Sequence, residues 1–103
     1  MAKKKIPEVR YRASRVCRTL GNPTAYEMLH MLRSGPRTPR QLAAALGVSV
    51  AVVSDVLRSL RQLDLVRYEV KWRERFYWTK YDTVHTLTAA LEALIEIILA
   101  DKS

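Results

Sequence analysis

Residues 38–63 read TPRQLAAALGVSVAVVSDVLRSLRQL. Thr38, Pro39 and Gln41 have the form of a capping box: a hydroxyl at the N-cap, proline at the first helical position, and a side-chain amide placed to reach back. The helix so opened is short, because Gly47 follows Leu46 and a glycine there ends a helix at little steric cost. Only Val48 separates that glycine from Ser49, the next N-cap candidate. Two helices joined through so tight a turn form a helix-turn-helix. The second helix is expected to run from Ser49 to about Leu63. Val53, Val56, Leu57, Leu60 and Leu63 mark its inward stripe. Ser54, Asp55, Arg58, Arg61 and Gln62 share a polar, partly cationic outer face.

Outward from this pair the pattern continues on both sides. Asp64 is expected to end the helix, since Asp tolerates the left-handed conformation better than most residues. The period then changes to two. Val66, Tyr68 and Val70 alternate with Arg67, Glu69 and Lys71, and Phe76 and Trp78 alternate with Arg75, Tyr77 and Thr79. This predicts a two-stranded hairpin turning near Trp72-Arg73-Glu74, its register left open by the lack of an Asn-Gly turn. Upstream, Gly21-Asn22-Pro23 separates a first helix, over about Pro7–Thr19, from a second that runs to about Arg33 and stops at Ser34-Gly35-Pro36. Val9, Ala13, Val16 and Leu20 form a narrow stripe on the first, and Ala25, Met28, Leu29 and Leu32 an inward face on the second. Downstream, Asp82 or Thr83 opens a last helix reaching about Asp101. Its apolar face holds Val84, Leu87, Leu91, Leu94, Ile95 and Ile98, widened by Ile97 and Leu99. The expected architecture is one α+β domain, mostly α, over 7–103: a winged helix-turn-helix with a two-stranded β-hairpin wing and terminal dimerisation helices (7–20 and 82–101). A disordered basic tail is expected over 1–6.

Composition agrees. A chain of 103 residues has room for one domain, and at 49% hydrophobic it can build a core without a metal or disulfide. With only 3 Gly and 4 Pro, a loop-rich or all-β architecture is disfavoured. The net charge of +8 predicts attraction to polyanions. That charge is uneven: residues 1–18 carry seven basic groups against Glu8, whereas the end from Tyr81 carries four acids against Lys102. A single Cys17 fits a reducing compartment. Lys3–Lys5 is followed by Ile6-Pro7-Glu8 rather than an apolar leader, and Ala89–Ala100 is short and interrupted by Glu92 and Glu96. A cytoplasmic, nucleoid-associated protein without membrane partner is therefore expected. No nucleophile paired with a base and no Gly-rich phosphate loop occurs in the sequence, so neither an enzyme nor a bound cofactor is expected.

The order helix, helix, helix-turn-helix, hairpin, helix resembles the ArsR/SmtB-type winged-helix repressors. Leu20-Gly21-Asn22-Pro23-Thr24 is similar to that family's L-[AG]-[DN]-P-T opening. The segment Leu42–Ser49 is similar to its LAxxLGLS turn, and Val53-Ser54 with Leu57, Leu60, Leu65 and Val66 to its AVSxHLxxLxxAGLV run. Arg75-Phe76-Tyr77-Trp78 is similar to its RxxYY return strand. The resemblance extends over roughly residues 9–100 and implies the fold and binding to DNA; a homodimer is expected from the apolar stripes of the first and last helices. Four departures stand out. The recognition helix has Val50, Asp55 and Val56 where the family usually carries polar or basic groups. No glycine occurs between Asp64 and Tyr81, where the family's wing usually turns on one. Thr38 and Arg40 stand where family metal sensors often bear a Cys-x-Cys pair. Asp82, His85 and Glu96 lack the spacing of the other family metal site, so the resemblance does not imply metal sensing.

The residues expected to meet DNA are Thr38 and Arg40 on the third helix, Ser49, Val50, Ala51, Ser54, Asp55, Arg58 and Arg61 on the fourth, and Arg67, Lys71, Arg73 and Arg75 on the hairpin. The cations suit phosphate contact. Their alternative role is a solvated charged surface, with Asp55–Arg58 as a local pair. A Trp at a hairpin tip, such as Trp72, more often packs on its own hairpin or on a neighbouring subunit than against DNA. A lone Cys17 is usually a small buried hydrophobe, though Arg15 and Arg18 beside it would favour a thiolate switch. His30 and His85 have no partner at ligand spacing. The dimer interface is expected to hold Val9, Val16 and Leu20 of the first helix and Val84, Leu87, Leu91, Leu94 and Ile98 of the last. The leading reading is a homodimeric transcriptional regulator acting as a repressor. The alternatives are an architectural or coating DNA-binding protein and a winged-helix protein-interaction module.

Overall fold

Local capping sets most of the element boundaries. The computed structural model describes residues 5–102. Most of the basic tail expected over 1–6, Lys3 and Lys4 included, lies outside the described residues. Helix α1 spans Glu8–Leu20 with Pro7 at its N-cap, and Asn22 caps α2, Pro23–Met31. The Asn22 Oδ1 accepts from the backbone N–H groups of Thr24 and Ala25 at 2.9 and 3.2 Å, satisfying two donors that a helix start leaves open. A 3-10 turn, Leu32–Ser34, then takes the chain to Gly35. Helix α2 therefore ends two residues before Arg33, and the tighter turn carries the chain on.

Helices α3, Pro39–Leu46, and α4, Val50–Gln62, form the helix-turn-helix, with a bend of 116° between them. Thr38 and Gln41 make the reciprocal capping box expected from their spacing. Gly47 takes φ 68°, and the Val48 N–H returns to the Ala43 carbonyl at 3.2 Å. A Cβ at Gly47 would meet nothing within 4 Å, so glycine is needed there for its backbone angle and not for space. Asp64 performs the same task after α4. It sits at φ 61°, while its own N–H bonds to Arg61 and that of Leu65 to Leu60, each at 3.0 Å. This is the Schellman pattern without a glycine.

Strands β1, Val66–Lys71, and β2, Glu74–Thr79, pair antiparallel with Lys71 opposite Glu74. The connection is the two residues Trp72 and Arg73, both with positive φ, 55° and 64°. That is the backbone hand matching the twist of a hairpin. For non-glycine residues the left-handed region costs about 1–2 kcal/mol each. Arg37 adds an isolated bridge to β2: its N–H and carbonyl both bond to Tyr77, at 3.0 and 2.8 Å. The last helix, α5, spans Thr83–Asp101.

The core gathers Leu20, Ala25, Met28, Leu29, Leu32, Leu42, Ala43, Val53, Leu57, Leu60, Val66, Tyr77 and Val84. Three residues, Leu20, Val84 and Cys17, differ from the expectations, and the structure decides which face of β2 is buried. On β2 the buried residue is Tyr77, while Phe76 and Trp78 are half-buried on the other face with Arg67, Glu69 and Lys71. The Arg37 bridge and the Tyr68 ring, 5.1 Å from that of Tyr77, hold Tyr77 inward. Leu20 and Val84 are 7% and 6% exposed and serve the protomer's own core instead of an outer face. Cys17 is exposed, not buried, because α1 lies on the molecule with one narrow edge.

Candidate nucleic-acid interface

The outer face of α4 and the hairpin form one cationic surface, joined through an aromatic ring. Tyr68 is half-buried on β1. The guanidinium carbon of Arg61, from the last turn of α4, lies 4.9 Å from its ring centroid, and that of Arg75, from β2, lies 4.7 Å away. A guanidinium over an aromatic face is attracted by the ring quadrupole and keeps its donors free for other acceptors. The Arg75 pKa is raised, chiefly by a side-chain hydrogen bond with Tyr77 and then by the Tyr68 and Tyr77 phenols, so its charge is permanent. Arg61 and Arg75 thereby link the end of α4 to both strands of the hairpin.

The expected contact residues fall into distinct places. Ser49 caps α4, its hydroxyl accepting from the Val52 N–H at 3.1 Å. Val50, Ala51, Asp55 and Arg58 are exposed, and Ser54 is half-buried. Val52, absent from the expected set, is 44% exposed beside them, because the helix turns it away from the stripe of Val53, Leu57 and Leu60. Arg58 pairs with Asp55 at 3.4 Å and Lys71 with Glu69 at 2.9 Å, all four side chains exposed. Such pairs contribute little to stability and open readily to a polyanion. Arg67 and Arg73 are exposed on the hairpin. Arg40 donates to Glu74 at 2.7 Å, tying α3 to the start of β2. Thr38 is a correction. It is buried, its Oγ1 accepts from the Gln41 N–H and its own N–H donates to Gln41 Oε1, so both groups are used by the capping box.

Trp72 stands apart at the hairpin tip, 90% exposed. It packs on nothing in its own hairpin, contrary to the usual habit of a tip tryptophan. At the opposite end, His85 Nε2 lies 2.9 Å from Thr79 Oγ1, and its Nδ1 is buried without a partner. Burial, and then Arg33, lower the His85 pKa, so the ring is neutral near pH 7. Among the described residues no group of three or more His, Cys, Asp or Glu side chains is placed to hold a metal ion.

A second surface is apolar. From Leu87 onward α5 is exposed apart from Thr88, and Leu91, Leu94, Ile95 and Ile98 present large aliphatic groups. Val9 of α1 is likewise exposed, and Val16 is half-buried. By length and composition alone α5 could cross a membrane. Its run of aliphatics is broken by Glu92 and Glu96, and Glu92 Oε2 accepts from the Tyr26 hydroxyl at 2.7 Å, fixing α5 to α2. Burial and that hydrogen bond raise the Tyr26 pKa from 10.0 to about 12.

Comparisons with known proteins fit this geometry. Residues 22–68 match the ArsR family of bacterial regulatory proteins. No curated protein sequence matches the chain. Among solved structures, it is similar to the homodimeric winged helix-turn-helix DNA-binding domain of a possible ArsR-family transcriptional regulator from Mycobacterium bovis. That likeness has a TM-score of 0.80 at 23% identity, covering 96% of this chain and 94% of the other. It is similar also to NolR from Sinorhizobium fredii, with a TM-score of 0.77 at 23% identity over 90% and 96% of the two chains. HlyU from Vibrio cholerae has a TM-score of 0.77 at 21% identity over 86% and 97%. Over residues 22–68, from the cap of its second helix into its first strand, the chain matches the ArsR family of bacterial regulatory proteins, and over nearly its whole length it has the winged helix-turn-helix fold of these solved structures.

Proposed function

We propose that the chain is a homodimeric transcriptional regulator that binds double-stranded DNA through α4 and the hairpin and acts as a repressor. The observation that carries this is the placement of Arg61 and Arg75 over one Tyr68 ring, which makes the recognition helix and the wing a single cationic face. Arg58 on α4 and Arg73 at the hairpin turn extend that face with exposed cations, and Arg67 and Lys71 add charge on the opposite face of the hairpin. Cations so arranged meet phosphates on either side of a groove and fix orientation. The Mycobacterium bovis relative is described as a homodimeric DNA-binding domain, which supports the same reading here. The exposed apolar face of α5 is read as the subunit interface, with α1 at its edge. A contiguous apolar surface of this kind marks a partner, and the acids within it argue for protein over lipid.

Base reading is expected to be weak. The exposed first half of α4 presents Val50, Ala51, Val52 and Asp55, none of which makes the bidentate bonds to purines that Arg, Asn or Gln make. This composition favours, as a second reading, a DNA-coating protein of the same fold. A salt-titrated binding assay on duplex DNA tests the proposal. With about eight phosphate contacts per dimer, the log–log slope should be roughly −7, and Arg58→Ala should make it shallower on all sequences alike. A slope near zero would remove the DNA reading and leave a protein-interaction module. An operator preferred over random duplex by more than about 10⁴ would remove the coating reading.

A further inference from the structure

Trp72 is the most exposed large apolar side chain among the described residues, and it occupies one of two strained backbone positions at the end of the hairpin. A turn of this hand is made with least strain by Asn-Gly. The chain instead holds Trp72 and Arg73 there, at φ 55° and 64°, with no ring contact between Trp72 and any other residue in the hairpin. Strain retained where nothing in the fold needs it points to a role for the side chains it displays. The surroundings name the partner. Lys71 and Arg73 flank the indole in sequence, Arg75 follows two residues on, and Val70 beside them is also exposed. An aromatic projecting from a cationic hairpin complements a surface that pairs phosphate charge with apolar sugar and base edges, which a duplex groove presents.

We infer that Trp72 is an aromatic wedge that enters the minor groove of bound duplex DNA at the wing tip, pressing its indole against sugar and base edges while Arg73 takes a phosphate. This rests on the DNA-binding reading above and adds to it a contact that is apolar and independent of salt. Side chains of this kind gain affinity by partly unstacking a base step and bending the helix.

The test uses the full chain with Trp78→Phe, which leaves Trp72 as the sole tryptophan. Binding to a fluorescein-labelled random duplex is followed by anisotropy, and Trp72 by its emission and its quenching by acrylamide. At saturation the emission should fall several-fold and acrylamide access should fall at least about twofold. Trp72→Ala should weaken binding about tenfold, within the range measured for loss of an aromatic–base contact, with the salt slope unchanged because no charge is lost. Trp72→Phe should recover most of it. Duplex bound by anisotropy while Trp72 emission and acrylamide access stay constant would overturn the wedge and leave the DNA reading standing. So would shielding of Trp72 on dimerisation without DNA. Absence of any anisotropy change would overturn both.

Discussion

Replacing Trp72-Arg73 by Asn-Gly should make the protein more stable and a poorer DNA binder. Both residues lie in the left-handed region, at φ 55° and 64°. For ordinary side chains that costs about 1–2 kcal/mol per residue, or about 2–4 kcal/mol for the pair. Asn and Gly relieve most of it. Against this, glycine gives the unfolded chain extra freedom worth roughly 0.5–1 kcal/mol. Little else is lost, because Trp72 is almost fully exposed and Arg73 is exposed. The net gain should be about 1–2 kcal/mol. For a domain near this size, each kcal/mol moves the midpoint by roughly 4–8 °C, so Tm should rise by roughly 5–15 °C. Circular dichroism melts at one fixed protein concentration read this directly, the concentration being held because dimerisation also shifts Tm. An unchanged or lowered Tm would refute the reasoning, showing that the tip side chains relieve their own strain. The same variant should bind duplex more weakly, the usual exchange of stability for function at a strained site.

Other outcomes follow from the surfaces described. Leu94→Glu, at a position 51% exposed in the protomer, should leave the fold intact and weaken dimerisation by at least about 30-fold, as for a residue central to an interface; sedimentation equilibrium giving an unchanged dimer constant would count against α5 as the interface. Asp55→Ala removes a negative charge from the centre of the outer α4 face and releases Arg58, so non-specific duplex affinity should rise about fivefold at low salt, the scale of one unit-charge contact; a fall in affinity would mean that Asp55 accepts a bond from DNA. In an ultraviolet phenolate titration Tyr26 should ionise well above the ordinary tyrosine value of 10.0, near about 12. Its pKa in the folded chain lies above the ordinary value, so its contribution to stability is present below pH 10.0 and lost as pH rises towards about 12. Tyr26→Phe should abolish that step, and a titration in which no phenolate forms above the ordinary tyrosine range would deny the Glu92 bond.

The sequence by itself determined where helices begin and end. Asn22-Pro23, the Thr38–Gln41 box, Gly47, Ser49 and Asp64 act through hydrogen bonds within about one helical turn, and such bonds are written into local residue order. The outer face of α4 was equally legible, because its stripe of Val53, Leu57 and Leu60 leaves Asp55 and Arg58 no other direction. What only the tertiary structure decided are the pairings between distant segments. Period-two alternation on β2 gives two faces but does not say which is buried. The bridge from Arg37 chose Tyr77 over Phe76 and Trp78. Thr38 read as a contact residue until packing buried it, and Leu20 and Val84 read as interface until the protomer's own core took them. The convergence of Arg61 and Arg75 on Tyr68 joins residues from three elements, α4, β1 and β2, and depends on a hairpin register that its turn residues left open. Local hydrogen bonds are short-range and can be read one turn at a time. Burial and ring contacts depend on which surfaces meet, and only the folded chain brings those surfaces together.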